Sequence, residues 1–196
     1  DLSTTFNAGE IIGLGPQPLS VIISHLEDIY CQSIGVEYMY IRKPEIISWI
    51  QQKLNVNDNQ PKFSASQKKK LMTKLVEAVS FENFLHTKYV GQKRFSLEGG
   101  ETLMAILDAI LQRCENNMVE ELVIGMAHRG RLNVLGNFLD KPLEYIFREF
   151  TPDYIPETMY GDGDVKYHLG FETTKQTYNG YNVDIALAAN PSHLES

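Results

Sequence analysis

A short β-branched run, Leu122-Val123-Ile124, leads directly into Gly125-Met126-Ala127-His128-Arg129-Gly130-Arg131. An apolar series with helical spacing follows: Leu132, Val134, Leu135, Phe138 and Leu139. A buried strand that passes through a basic, glycine-bearing turn into a helix is the repeating step of a layered α/β fold. Such a turn suits an anion, because a helix start offers N–H groups and positive potential and arginine adds forked donors. The same spacing also describes an ordinary strand-to-helix turn with solvated arginines. From spacing alone, both readings stay open.

The rest of the chain gives this step its setting. Ser20 is placed to cap a helix carrying Val21, Ile22, Leu26, Ile29 and Tyr30, with Gly35 closing it. The compact run 36–41 fits strand or helix end equally. Pro44 suits the first position of a helix to about Leu54. Ser66 opens another helix, with Leu71, Met72, Leu75, Val76 and Val79 as its inward side and Lys68, Lys69 and Lys70 as a solvated face. Ser80 caps a further turn or two, on which His86 reads as structural. After Gly91 the pattern changes to a helix from about Leu103, a strand at 121–126, the His-Arg-Gly-Arg turn, a helix to about Leu139 and a short helix after Pro142. A strand is expected over 165–171, a hairpin turn at Asn179-Gly180 and a strand over 183–189. Ser192 and Glu195 form a capping box for a last helix. Helices first and strand–helix alternation afterwards predict an α/β chain of two parts, a helical domain over 1–90 and the start of an α/β domain over 91–196.

Composition removes several function classes. A hydrophobic share of 43% with 22% charged residues predicts a packed core and not a disordered chain. The net charge of −7 argues against a nucleic-acid binder. No apolar run approaches a membrane span, so no membrane partner is expected. Cys31 and Cys114 lie among apolar residues with no CxxC spacing, and read as buried thiols in a reducing cytosol. The chain starts at Asp1 without Met and stops at Ser196 near a helix start, which reads as a piece of a longer protein.

Three histidines carry the candidate chemistry. His128 and His193 each follow a strand, and His168 sits in Lys166-Tyr167-His168-Leu169-Gly170. Ligands of open α/β sheets bind beyond the carboxyl ends of strands, so these groups are placed for acid–base work or carboxylate binding. As zinc ligands they lack the short spacing of strong sites. Adjacent Ser192 and His193 do not make a hydrolase pair without a G-x-S-x-G elbow. Gly161-Asp162-Gly163 with Asn190 downstream has the outline of a thiamine-diphosphate magnesium element. No strand-like sequence precedes it, so Asp162 and Asp164 read as loop carboxylates and no metal ligand is assigned.

Four runs in order, KRFSLEGGE (93–101), GMAHRGRLNVL (125–135), GDVKYHLGF (163–171) and NPSHLE (190–195), together with GVEYMYI (35–41), resemble the thiamine-dependent first component of the 2-oxoglutarate dehydrogenase complex. The resemblance covers essentially the whole chain. It implies an enzyme that decarboxylates 2-oxoglutarate on thiamine diphosphate and magnesium, then passes the succinyl group to the lipoyl arm of a succinyltransferase partner. It implies a homodimer, cytoplasmic in a bacterium or in the mitochondrial matrix of a eukaryote, with 91–196 opening the cofactor-binding domain. By the same resemblance His128 and His168 are catalytic and substrate-binding. Arg129 and Ser192 contact substrate and cofactor, and His193 and Leu194 line the cofactor. The family's magnesium ligands and activating glutamate are expected beyond Ser196, so the piece alone is expected to be inactive. A 2-oxoadipate-type paralogue, a non-catalytic assembly module and a zinc hydrolase are the alternatives.

Overall fold

The computed structural model describes residues 1–9, 13–55, 59–150 and 168–190. The chain divides into two units, Asp1–Ala65 and Ser66–Ser196. In the first, a two-stranded antiparallel ribbon of β1 (Thr5–Asn7) and β2 (Pro16–Pro18) precedes helices α1 (Leu19–Tyr30) and α2 (Pro44–Asn55). Its core is small: Ile29, Tyr38 and Leu54, with Ile41, Ile47 and Ile50 packed around them. Asn59 ties the loop after α1 to the helix, its side-chain amide donating to the carbonyls of Ile29 at 3.0 Å and Ile34 at 3.1 Å. The ambiguous run 36–41 forms neither strand nor helix but a turn, with Tyr38 buried and its hydroxyl 3.1 Å from that of Tyr30. Cys31, expected to be buried, is exposed because α1 ends at Tyr30 and Cys31 stands just past it.

The second unit is built on α3 (Ala65–Lys88), α4 (Thr102–Cys114), β3 (Glu121–Ile124), α5 (Arg131–Asn133), α6 (Leu143–Arg148), β4 (Phe171–Gln176) and β5 (Asn182–Leu187). Ser80 caps nothing: α3 runs through it, since no residue nearby breaks helical geometry. The inward face of α3 is also shifted from expectation. Ala78, Phe81, Glu82 and Leu85 are buried, whereas Met72, Val76 and Val79 are exposed. The buried set has the i, i+3, i+4, i+7 spacing of one helical stripe, and a carboxylate occupies one of its positions.

The strands form a mixed sheet in the order β3-β5-β4, with β5 in the middle. β3 and β5 are parallel, Ile124 standing opposite Leu187, and β4 and β5 are an antiparallel hairpin. Gly180, at φ +88°, supplies the left-handed position that the Asn-Gly turn requires. Strand β4 starts at Phe171, where the expected strand was to end, and residues 165–167 lie outside the described residues. Val183, Ile185 and Leu187 alternate into a core shared with Phe81, Leu85, Met104, Leu111, Leu132, Leu135 and Ile146. The other sheet face carries exposed Glu121, Val123, Glu172, Thr174 and Asp184. The expected helix to Leu139 is one turn of α5 followed by a wider π turn over Val134–Phe138, in which the Leu139 N–H reaches back to the Val134 carbonyl at 2.9 Å. The arrangement is mixed helix and sheet, compatible with the α/β expectation.

Candidate functional site

Parallel pairing of β3 and β5 brings their carboxyl ends to one edge of the sheet, and the antiparallel β4 begins there. Three segments therefore converge: Gly125–Gly130 after β3, His168–Gly170 before β4, and Ala188–Asn190 after β5. The backbone knits them together. The Ala188 N–H donates to Ile124 at 2.9 Å and the Asn190 N–H to His168 at 2.9 Å. Gly170 lies so close to β5 that a Cβ there would stand 3.1 Å from the Leu187 carbonyl oxygen.

The two arginines of the turn have opposite roles. Arg131 is fully buried, and burial pulls its guanidinium pKa downward. Its Nη2 donates to the carbonyls of Ala188 at 2.7 Å and Leu169 at 2.8 Å, and Nη1 to that of Met126 at 3.2 Å. One side chain thus bonds one carbonyl from each converging segment. Only a planar, multi-donor fork reaches three such acceptors, so a lysine is no substitute. Arg129 is exposed, held on the Glu98 carbonyl at 2.6 Å. It is the arginine of the pair with its charge at the surface.

The expected anion grip at the helix start is corrected in part. The N–H of Gly130 is taken by the Phe95 carbonyl at 2.8 Å, and that of Arg131 by the His128 carbonyl at 3.1 Å. These two N–H groups are therefore already engaged and not turned to an anion.

His128 is partly buried and His168 is buried, with ring centroids 6.2 Å apart and planes inclined by 22°. Phe95 lies closer to His128, with centroids 4.0 Å apart, and 6.3 Å from His168. Phe95 lies within the KRFSLEGGE run, and nothing in the sequence assigns it a role. Its backbone lies in the left-handed region at φ 45°, which a bulky residue adopts only when its surroundings force it. Gly130, at φ +74°, is equally constrained: an added Cβ would fall 2.4 Å from Leu97 Cδ1.

The structure thus joins His128 and His168 and sets Arg129 beside His128 in the same turn. Ser192, His193 and Leu194, and with them Asp162 and Asp164, lie outside the described residues. Asn190, buried to 1% exposure, is the last described residue before that segment. Among the described residues no three His, Cys, Asp or Glu side chains gather as metal ligands.

No protein-family model matches the chain. Curated relatives do. The chain is 45% identical over 197 residues to the multifunctional 2-oxoglutarate metabolism enzyme of Mycolicibacterium vanbaalenii. It is 44% identical over 196 residues to the 2-oxoglutarate dehydrogenase E1 component of Cupriavidus necator, and 43% over 186 residues to that of Brucella canis. These alignments cover 100%, 100% and 94% of the chain. The chain matches one segment of the 2-oxoglutarate dehydrogenase E1 family. That segment is small, 16%, 20% and 18% of the three relatives' lengths. Among the described residues of this E1-related segment, no helix is long and apolar enough to cross a membrane.

Proposed function

We propose that this chain is one wall of the active site of a thiamine-diphosphate-dependent 2-oxoglutarate dehydrogenase. The whole protein decarboxylates 2-oxoglutarate and passes the succinyl group to a lipoylated succinyltransferase. The supporting observation is the meeting of His128, His168 and exposed Arg129 where β3 and β5 end. Residues 91–196 open the cofactor-binding α/β domain, and residues 1–90 are its helical lead-in.

The donor set fits the group the reaction needs. The cofactor carries a diphosphate and the substrate two carboxylates, and the forked guanidinium of Arg129 matches either kind of anion. Thiamine diphosphate supplies the electron sink for decarboxylation when bound. Arg129 orients the anionic end of its ligand. His128 and His168, two imidazoles with near-parallel planes, hydrogen-bond the reacting carboxylate and move a proton to and from the oxo oxygen. Phe95 covers His128 on one side and keeps water from that face. Ser192, His193 and Leu194 contact cofactor and substrate in this reading. The magnesium ligands belong to the part of the protein beyond this chain, as does the glutamate that activates the cofactor, and the protein works as a homodimer.

The test is steady-state turnover by the full-length protein with magnesium and thiamine diphosphate. 2-Oxoglutarate is expected to be decarboxylated in preference to 2-oxoadipate. His128→Ala and Arg129→Ala are each expected to lower kcat/KM by about 100-fold or more, the scale of removing a positioned acid–base or charged group. Equal turnover by these variants would refute the assignment. The 196-residue chain alone is expected to show no turnover.

A further inference from the structure

Glu82 is 3% exposed on the inward stripe of α3, in a position where its neighbours are Ala78, Phe81 and Leu85. A buried carboxylate is costly unless its lone pairs are all engaged. Here its two oxygens grip the chain on either side of Phe95. Oε2 accepts from Arg94 Nη1 at 2.8 Å, and Oε1 accepts from the Leu97 backbone N–H at 3.0 Å. Asn133 donates to Oε1 at 3.2 Å and to the Ala78 carbonyl at 3.0 Å, which joins the first turn of α5 to the same carboxylate. Arg94 is braced in turn by His86 Nδ1 at 3.2 Å.

Phe95, between the two gripped residues, is the one held in the left-handed region. In that conformation its ring lies 4.0 Å from His128 and its carbonyl accepts the Gly130 N–H at 2.8 Å. Both contacts reach the candidate turn. We propose that Glu82 is a positioning residue: by clamping Arg94 and Leu97 it fixes the Phe95–His128 contact. An apolar pair of similar volume can match the stability of a buried ion pair, but it could not replace the acceptor that Glu82 offers to Leu97 and Asn133. The charge is kept for the geometry it imposes. The catalytic consequence rests on the functional reading of His128 given above; the geometric one does not.

The experiment uses the full-length protein and the Glu82→Gln variant, which loses the charge with little change of volume. Its kcat/KM for 2-oxoglutarate is expected to fall at least tenfold, with affinity for thiamine diphosphate changed less than threefold. The double variant Glu82→Leu/Arg94→Met replaces the ion pair but leaves the Leu97 N–H unpaired, and is expected to regain neither the wild-type melting temperature nor kcat/KM. Recovery of both, or full activity in Glu82→Gln, would overturn the proposal. Should Glu82→Gln not fold, Arg94→Lys keeps the charge and loses the fork. It carries the same expected loss, and unchanged kcat/KM there overturns the proposal equally. A crystal structure of Glu82→Gln (or Arg94→Lys) separates the two readings. Phe95 is expected to leave the left-handed region and its ring to leave His128, whatever the substrate. A ring still at 4.0 Å would refute the clamp, whereas a wild-type protein inactive on 2-oxoglutarate would refute the functional reading instead.

Discussion

At one end of the three-stranded sheet, the β4–β5 turn is fastened by surface side chains; at the other, three loop segments are fastened by a buried arginine. The hairpin end uses carboxylates and amides of α4 and the residues just after it. Glu115 accepts from Thr177 at 2.8 Å and Asn179 at 3.1 Å, Gln112 accepts the Tyr178 N–H at 2.8 Å, and Asp108 accepts the Tyr178 hydroxyl at 2.8 Å. Lys70 adds a cation over the Tyr178 ring at 3.6 Å. At the carboxyl end a single side chain, Arg131, bonds one backbone carbonyl of each of the three segments. The hairpin end thus depends on several side-chain pairs, the carboxyl end on one guanidinium.

Changes at the two ends should therefore differ in size and in kind. The largest effect is expected from Arg131→Met, which removes three charge-assisted hydrogen bonds to part-buried carbonyls. At about 1 kcal/mol or more for each, the loss of unfolding free energy should reach about 3 kcal/mol in denaturant titrations. Turnover is expected to vanish with it. Gly130→Ala comes next, at about 2 kcal/mol, from a left-handed backbone with a side chain added and from the displacement of Leu97. Calorimetry of the purified protein would show it as a lowered midpoint, and an unshifted midpoint would mean that Leu97 yields freely.

At the hairpin end Glu115→Ala is expected to cost only about 1 kcal/mol and to leave kcat/KM unchanged. A loss of activity there would show the two ends to be coupled. Arg129→Gln separates the two arginines most sharply. Stability should stay within about 0.5 kcal/mol, as for other exposed substitutions. Measured cofactor or substrate affinity should fall at least tenfold, the scale of one charge-assisted pair.

The smallest effect is a pH effect. Tyr178 is pushed up to about 12, first by partial burial and then by its hydrogen bond to Asp108. A raised pKa means that the fold favours the protonated phenol. Its stabilisation is complete below the ordinary value near 10 and is lost as pH climbs toward 12. Relative to the base-catalysed intrinsic rate, protection of the amides at residues 177–181 should fall over that range before it does at the carboxyl end.

The difference between the ends also explains what the sequence could disclose. Asn179-Gly180 announces a turn through backbone conformation alone; β5 follows it near the expected strand over 183–189, whereas β4 (Phe171–Gln176) begins where the strand expected over 165–171 was to end. The His128-Arg129 turn was legible as the end of a strand, because Leu122-Val123-Ile124 is strongly β-forming. Which arginine is buried was not legible. Arg129 and Arg131 are chemically identical, and only the convergence of segments distant in sequence distinguishes them. Phe95 was hidden for the same reason, since its place beside His128 depends on a left-handed backbone imposed by Glu82. Glu82 did leave a trace: a carboxylate at i+4 from Ala78 on an otherwise apolar stripe. The misplaced inward face of α3, Met72, Val76 and Val79, shows the limit of periodicity, which finds apolar residues but not which stripe meets the core.

The π turn at Val134–Phe138 has a consequence for insertions and deletions. A π turn holds one residue more than the α turn it replaces. Because the extra residue is absorbed within the turn, removing it would restore regular hydrogen bonding while the turns on either side keep their phase. Leu139, buried at 0% exposure, would keep its place in the core. Gly136 is less forgiving, since a Cβ there would stand 3.1 Å from Leu143 Cδ2. At this turn the count of residues is thus more readily changed than the size of the side chain at Gly136.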